Sequence, residues 1–267
     1  RFGVCSSQLS LKMQNTLVLF MVVGFMLGVA KGDGLRPRLG VSATFSIVAV
    51  DPQTGECGAA VASKYPDVGK VVPYVRSGVG AFCTQHWHNP AWGKKALDLL
   101  EAGHSSEEVL GMLLKGDPRR DKRQLAIIDM QGRAANRNPS DADASGVYWG
   151  AMSGRFYACQ GNTLAGRGVV VAMAKAYEET KGSLTDRLIA ALVAADKAGG
   201  DHRGRLAAGV VVAKKDVKGH WFELYTDKSD DAVNDLFHKY VKLDHAAKGA
   251  WLPDVHVPKD PSPPGEK

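Results

Sequence analysis

The sequence predicts an α+β protein built as a four-layer αββα sandwich, two sheets face to face with helices outside. Two observations carry this. Stretches with strand character come in blocks, and pairs of helix-periodic segments separate the blocks, so single strands do not alternate with single helices. The strands are also short and joined by turns of a few residues, which calls for antiparallel pairing.

Thr44–Val50 has the β-branched density of a strand, and Asp51-Pro52-Gln53-Thr54-Gly55-Glu56 is a turn by composition. Cys57–Ser63 is a partner strand, small, apolar and covered on both faces. Strand-like runs follow at Lys70–Arg76 and Val79–Gln85, around Ser77-Gly78, and the four are expected in one sheet, the fourth beside the first. The pattern then changes to helix over Ala91–Ala102, closed by Gly103, and over a second segment ending at Leu114. Ser105 or Ser106 caps that second helix, with Glu107 and Glu108 in its first turn. Strands return at Gln124–Asp129, Arg133–Asn136, Val147–Met152 and Arg155–Gln160. Helices are expected at Gly168–Thr180 and, capped by Ser183, at Leu184–Ala198. A last strand pair, Arg205–Ala213 and His220–Tyr225, precedes a helix at Asp230–Lys242. This domain spans residues 44–245, and the proline-rich residues 246–267 read as a disordered tail.

With 267 residues, 45% apolar and 23% charged, the chain buries a core large enough to fold without staples. Its net charge of +6 is concentrated at one end. Beyond residues 1–43, which hold five Lys/Arg and one Asp, there remain 29 basic and 27 acidic residues. A net of +2 is no footprint for nucleic acid, and that class is excluded. Of the four cysteines, three (Cys57, Cys83 and Cys159) lie in the domain. None has zinc-type spacing; a Cys57–Cys83 disulfide and buried free thiols both stand as readings.

Thr16–Ala30 is an uncharged apolar run of 15 residues. A bilayer span takes about 20, so the run fits the core of an export signal better than a membrane anchor, with Lys12 as its positive flank and Met13 as a natural start. The expectation is a secreted or periplasmic protein without a stable membrane anchor. Residues 1–30 then comprise upstream residues and signal, and 31–43 a propeptide or linker. Small residues permit cleavage after Ala30 and after Ala43. The second cut, direct or following the first, makes Thr44 a chain terminus. A terminal threonine carries its hydroxyl beside its own α-amine, of ordinary pKa about 8, which can act as the base for that hydroxyl. Thr44 is the candidate nucleophile; the plainer reading is a threonine opening a strand.

Several motifs, in order, resemble the DUF1028 family: Thr44-Phe45-Ser46-Ile47-Val48-Ala49, Ala60-Val61-Ala62-Ser63, Val71-Val72-Pro73, Gly78-Val79-Gly80-Ala81, Thr84-Gln85, Asn89-Pro90 and Asp117-Pro118. The series continues with Asp121, Arg123-Gln124, Gln160-Gly161-Asn162 and Gly200-Asp201-His202-Arg203-Gly204-Arg205. The resemblance implies a fold of the N-terminal-nucleophile (Ntn) hydrolase type. Where that family tends to have Gln-Ser after Arg205, this chain has Leu206-Ala207. In proteasome-like relatives of the fold, a polar residue ends the second strand and a lysine opens the third, which singles out Ser63 and Lys70 beside Thr44. DUF1028 members often have a small residue at the Lys70 position, and Lys64 is a weaker substitute.

The oxyanion requires fixed N–H donors, for which the backbone of Cys83 or Thr84 is the candidate. Gln85 and Asn162 are candidates to orient a substrate amide, and Asp201 and Arg203 to bind substrate, Arg203 by gripping a carboxylate. Asp117, Asp121 and Arg123 read as a loop-fixing ion network. His86-Trp87-His88 puts two imidazoles on one face if the strand continues. The function expected is a cofactor-free amidohydrolase acting on a small-molecule or short-peptide amide. Two alternatives stand beside it: a non-catalytic binding module for cell-wall or glycopeptide material, and a metal hydrolase using His86 and His88. The sequence leaves homo-oligomer formation open.

Overall fold

The structure is a computed structural model and describes residues 44–140, 142 and 147–248. The expectations for an export signal and propeptide (1–43), and for most of the tail, lie outside these residues. Among the described residues, no helix is long and apolar enough to cross a membrane.

The elements run β1 (Thr44–Asp51), β2 (Glu56–Ser63), α1 (Val68–Val71), β3 (Pro73–Arg76), β4 (Gly80–His86), α2 (Ala91–Glu101) and α3 (Ser106–Leu114). After a short 3-10 turn come β5 (Arg123–Asp129), β6 (Ala134–Arg137), β7 (Tyr148–Gly154), β8 (Tyr157–Leu164), α4 (Gly168–Glu179), α5 (Leu184–Lys197), β9 (Ala207–Lys214), β10 (Phe222–Thr226) and α6 (Ala232–Lys248). One sheet has the order β10-β9-β2-β1-β8-β7 and the other β3-β4-β5-β6, with every pairing antiparallel. The αββα sandwich is therefore present, though the first four strands do not share one sheet. Asp67, in the left-handed region at φ 57°, and α1 carry the chain across, so β4 faces β1 from the other sheet.

Period-two alternation builds three apolar layers from these strands. Phe45, Ile47 and Ala49 of β1 pack on one side with Val170, Met173, Leu188, Leu192 and Leu236 of α4, α5 and α6. Val48 and Val50 point the other way and meet Val61, Ala81, Cys83, Ala126, Ile128 and Ala158 between the sheets. Phe82, Leu125 and Ile127 face outward beneath Trp92, Leu97, Val109 and Leu113 of α2 and α3. Each large side chain so buried contributes roughly 1.5–3 kcal/mol. The helices start where their sequences dictate. Ser105 accepts from Glu108 N–H at 3.3 Å while Glu108 accepts from Ser105 N–H at 2.8 Å. Ser183 and Asp186 form the same reciprocal cap on α5. Helix α6 continues to Lys248, into the stretch expected as tail. Cys57, Cys83 and Cys159 are buried free thiols.

Close backbone approach fixes the seam between β4 and β5. Gly80 has φ +147°, and a Cβ there would stand 2.1 Å from the carbonyl oxygen of Ile128. Only separation of the two strands could relieve that contact. Gly80→Ala should therefore destabilise the domain by about 2 kcal/mol or more, read as a lower urea midpoint at unchanged m-value.

Candidate active site

The layer between the sheets is apolar along most of its length and turns polar at one end. In β1, Thr44 and Ser46 precede Val48 and Val50 on the inward face; in β2, Ser63 follows Cys57, Ala59 and Val61. In β8, Gln160 and Asn162 follow Ala158; in β4, Gln85 follows Ala81 and Cys83; in β5, Gln124 precedes Ala126 and Ile128. Register brings these ends together, since Thr44 is opposite both Ser63 and Asn162, and Gln85 is opposite Gln124. All seven polar residues are 0% exposed.

Thr44 is held at three atoms. Its N–H donates to Asn162 Oδ1 at 3.1 Å, its hydroxyl donates to Ser63 Oγ at 3.1 Å, and its carbonyl accepts from Gln85 Nε2 at 3.1 Å. Gln124 joins the two amides: its Oε1 accepts from Asn162 Nδ2 and from Gln85 Nε2, both at 2.7 Å. Gln124 Nε2 donates to the Gly161 carbonyl and to Asn138 Oδ1, both at 2.9 Å, and Ser46 donates to Gln85 Oε1 at 2.7 Å. Backbone groups set which way round each amide lies. Thr44 N–H can only donate, and the carbonyls of Thr44 and Gly161 can only accept, so the orientations of Asn162, Gln85 and Gln124 are all determined. Each donor or acceptor left unmade here would cost about 1–3 kcal/mol.

Backbone geometry ends the site abruptly. The residues directly after Gln85 and Asn162, His86 and Thr163, have φ of 62° and 51°, unusual values for non-glycine residues. The strand alternation that would align His86 with His88 therefore stops at His86. Its ring instead meets Trp149 edge-on at 4.7 Å, whereas His88 is buried beyond the strand end. Among the described residues, no group of three or more His, Cys, Asp or Glu side chains could hold a metal ion.

Of the residues singled out from sequence, the structure brings Thr44, Ser63, Gln85 and Asn162 together. Gln85 and Asn162 hold the threonine itself rather than standing free for a substrate amide. Lys70 lies in α1 and not at the start of β3, because the strand begins at Pro73. Its exposed Nζ is bound to Asp227 at 2.5 Å and sits over the Tyr225 ring. Cys83 is interior to β4, in register with Pro73 and Ala126 on its two sides, and burial pushes its thiol pKa up to about 12. Thr84 points to the opposite face, and its N–H already donates to the Val72 carbonyl at 3.3 Å. The expectation that β4 lies beside β1 in one sheet is not met, since β4 faces β1 from the other sheet. Asp201 pairs with Leu164 just past β8 and accepts from Arg203 N–H at 3.0 Å and from its Nε at 3.4 Å. Burial raises the Asp201 carboxyl above its ordinary range. Asp201 and Arg203 fix the turn after α5 and make no hydrogen bond to Thr44.

Sequence reasoning left Gln124, Ser46 and Asn138 without a role. The sequence marks only its face: Gln124 opens one that continues with Ala126 and Ile128, as Asn162 ends the one begun by Ala158. Next to Gln124, Arg123 anchors the surrounding loop through Asp117, whereas Asp121, expected in the same ion network, pairs with Arg137 at 3.6 Å. Arg123 grips Asp117 with Nε at 2.7 Å and Nη2 at 3.1 Å, bonds the Trp87 carbonyl, and lies over the Trp92 ring at 4.8 Å. A cleft of about 420 Å³ lined by Asp51, Phe156, Tyr177, Glu178 and Arg187 lies at the other end of β1. At the rise of a β-strand that is roughly 20 Å or more from Thr44. The cleft is separate from the polar site.

The model of DUF1028, a family of unknown function, matches residues 44–236. Among solved structures the chain is similar to the DUF1028 protein SPO2555 from Silicibacter pomeroyi. The two are 30% identical over 75% of this chain and 86% of that one, with a TM-score of 0.68. A Gly-1 mutant of Anbu from Hyphomicrobium sp. strain MC1 aligns at 10% identity over 80% of this chain and 100% of that one, with a TM-score of 0.38. No curated protein matches the chain.

Hydrogen bonds from Arg123 hold the Asp117 carboxyl below the usual carboxylate range. A lowered folded-state pKa stabilises the protein above the unfolded value of about 3.9, and that stability is lost as pH falls through the folded pKa. The stability gap between the wild type and Asp117→Asn, measured by urea unfolding, should be largest near neutral pH. It should shrink as the pH is lowered from about 5 to about 2.

Proposed function

This chain belongs to the DUF1028 family, and on that premise we propose that it is an N-terminal-nucleophile amidohydrolase, cleaving amide bonds of a small molecule or short peptide. Thr44, freed by cleavage after Ala43, is the nucleophile. The observation that carries the reading is the threonine's setting, with its hydroxyl on Ser63 Oγ and its nitrogen on Asn162 Oδ1. That the family match begins at Thr44 supports it.

In the uncut chain the Thr44 nitrogen is an amide and has no basicity to offer. Cutting the Ala43–Thr44 bond turns it into a primary amine of ordinary pKa about 8. Asn162 Oδ1 accepts one amine hydrogen, and the lone pair is left for the hydroxyl proton. Ser63 Oγ also accepts from Tyr65 N–H at 3.2 Å, which holds it beside the Thr44 hydroxyl; in this reading it passes the hydroxyl proton on to the amine. As the proton leaves, Thr44 Oγ1 bonds to the substrate carbonyl carbon. The C–N bond of the tetrahedral intermediate then breaks, and the amine's proton goes to the departing nitrogen. Water attacks the resulting ester, with the α-amine again as base, and releases the acid. The reading carries export with it, residues 1–30 comprising upstream residues and signal.

A non-catalytic binding module is the second reading, and Ala207 favours it. Ala207 is opposite Ser63 in β9 and lies in the layer between the sheets. The family's tendency to serine there would add a hydroxyl beside Ser63 that this chain lacks.

A protein prepared to begin at Thr44 should hydrolyse members of an amide panel, and the same protein carrying Ala43 ahead of it should not. Thr44→Ala should abolish turnover. Ser63→Ala should lower kcat by about 10²–10⁴-fold, as loss of a proton-relay group does. Saturable ligand binding without turnover in the Thr44-initiated protein would favour the module.

A further inference from the structure

We propose that Gln124 is a positioning residue that keeps the Thr44 amine basic by forbidding Asn162 to turn over; the inference rests on the Ntn reading and deepens it. An asparagine amide has nearly the same shape either way up, so packing alone holds its orientation weakly. What differs is the chemistry offered to a neighbour: Oδ1 accepts and Nδ2 donates. Presented with Oδ1, the freed amine gives up one hydrogen, and its lone pair stays available to the hydroxyl. Presented with Nδ2, the lone pair itself accepts a hydrogen bond, which stabilises the neutral amine in a form unable to take the proton.

In the uncut chain this choice is made by the backbone, because an amide N–H can only donate. Cleavage removes that constraint, since a primary amine can both donate and accept. Gln124 holds Asn162 independently of that constraint. Its Oε1 accepts Asn162 Nδ2 at 2.7 Å. It cannot turn over in its own right, because its Nε2 donates to the Gly161 carbonyl at 2.9 Å. Gly161 is the residue before Asn162 in β8, so the lock and the group it holds are built on the same strand. Gln85 reinforces it from the other side: Nε2 donates to the Thr44 carbonyl and to Gln124 Oε1, which therefore faces two donors. Turning Asn162 would set its Oδ1 against Gln124 Oε1, two acceptors on side chains that are both buried between the sheets. Such a buried mismatch costs about 1–3 kcal/mol, an order of magnitude or more in the population of the turned form. Gln124 touches neither the hydroxyl nor a substrate; it acts through Asn162.

The test is the pKa of the Thr44 α-amine, followed by ¹⁵N NMR in threonine-labelled protein whose first residue is confirmed by mass to be Thr44. Gln124→Met keeps the length of the side chain and removes its acceptor, and the amine pKa should fall by about one unit. In Asn162→Asp protein, where both carboxylate oxygens accept, the same Gln124→Met change should leave the amine pKa where it was. Gln124→Glu retains an acceptor for Asn162 and should hold the amine pKa at or above the wild-type value. That arm carries the test if the methionine variant does not fold. An unchanged amine pKa in folded Gln124→Met, an equal fall in the Asn162→Asp background, or a fall in Gln124→Glu would overturn the proposal while leaving the nucleophile assignment untouched. Protein in which no Thr44 terminus can be found strikes at the Ntn reading instead.

Discussion

The hydrogen bond from Thr44 N–H to Asn162 Oδ1 is the contact on which the account turns. In the uncut chain it lies buried between the two sheets, where a polar group without a partner is costly. Thr44, Ser63, Gln85, Gln124 and Asn162 are accordingly committed to one another. One acceptor fixed on the nitrogen of the first strand residue requires a fixed asparagine, and the asparagine requires Gln124. Gln124 in turn requires the carbonyl of Gly161. The fold meets these requirements by bringing one end of five strands to the same place. On the proposed reading, that is why a sandwich of two antiparallel sheets suits a nucleophile at the start of a strand.

The same arrangement explains why the rest of the inter-sheet layer is small and apolar. Alanine, valine and cysteine at Ala59, Val61, Ala81, Cys83, Ala126 and Ala158 let the sheets approach closely. That brings side chains as short as serine and asparagine within hydrogen-bond reach across the layer. Larger residues go to the outer layers beneath the helices, as Phe82, Leu125 and Leu192 show. The left-handed backbone at His86 and Thr163 then ends two of the strands just beyond the amides they carry.

Much of this was legible in the sequence. The αββα layering, most strand and helix positions and the serine caps follow from periodicity and turn composition; Ser63 was set beside Thr44 by the family resemblance, and Gln85 and Asn162 were expected to face a substrate amide, whereas they hold the threonine. What was not legible has one physical cause: period-two alternation says which face a side chain takes, but not which sheet its strand joins. The first four strands read as one sheet because their turns are short. The switch depends on the conformation of Asp67 and on the four-residue α1, too brief to leave a periodic signature. The error carried Lys70 into a strand and made Cys83 and Thr84 neighbours of β1. Gln124 was missed for a related reason. Its importance comes from pairings across the two sheets, and a lone glutamine opening an apolar strand gives no sign of what it faces.

The most direct measurement is the intact mass of the protein after expression of residues 1–267 in an export-competent host, together with brief periodate treatment. Periodate cleaves a free 1,2-amino alcohol, a group that a threonine presents only when it is the first residue. The account predicts a mass beginning at Thr44 and conversion of that terminus to a glyoxylyl group. A protein that keeps residues ahead of Thr44 and is inert to periodate would contradict it.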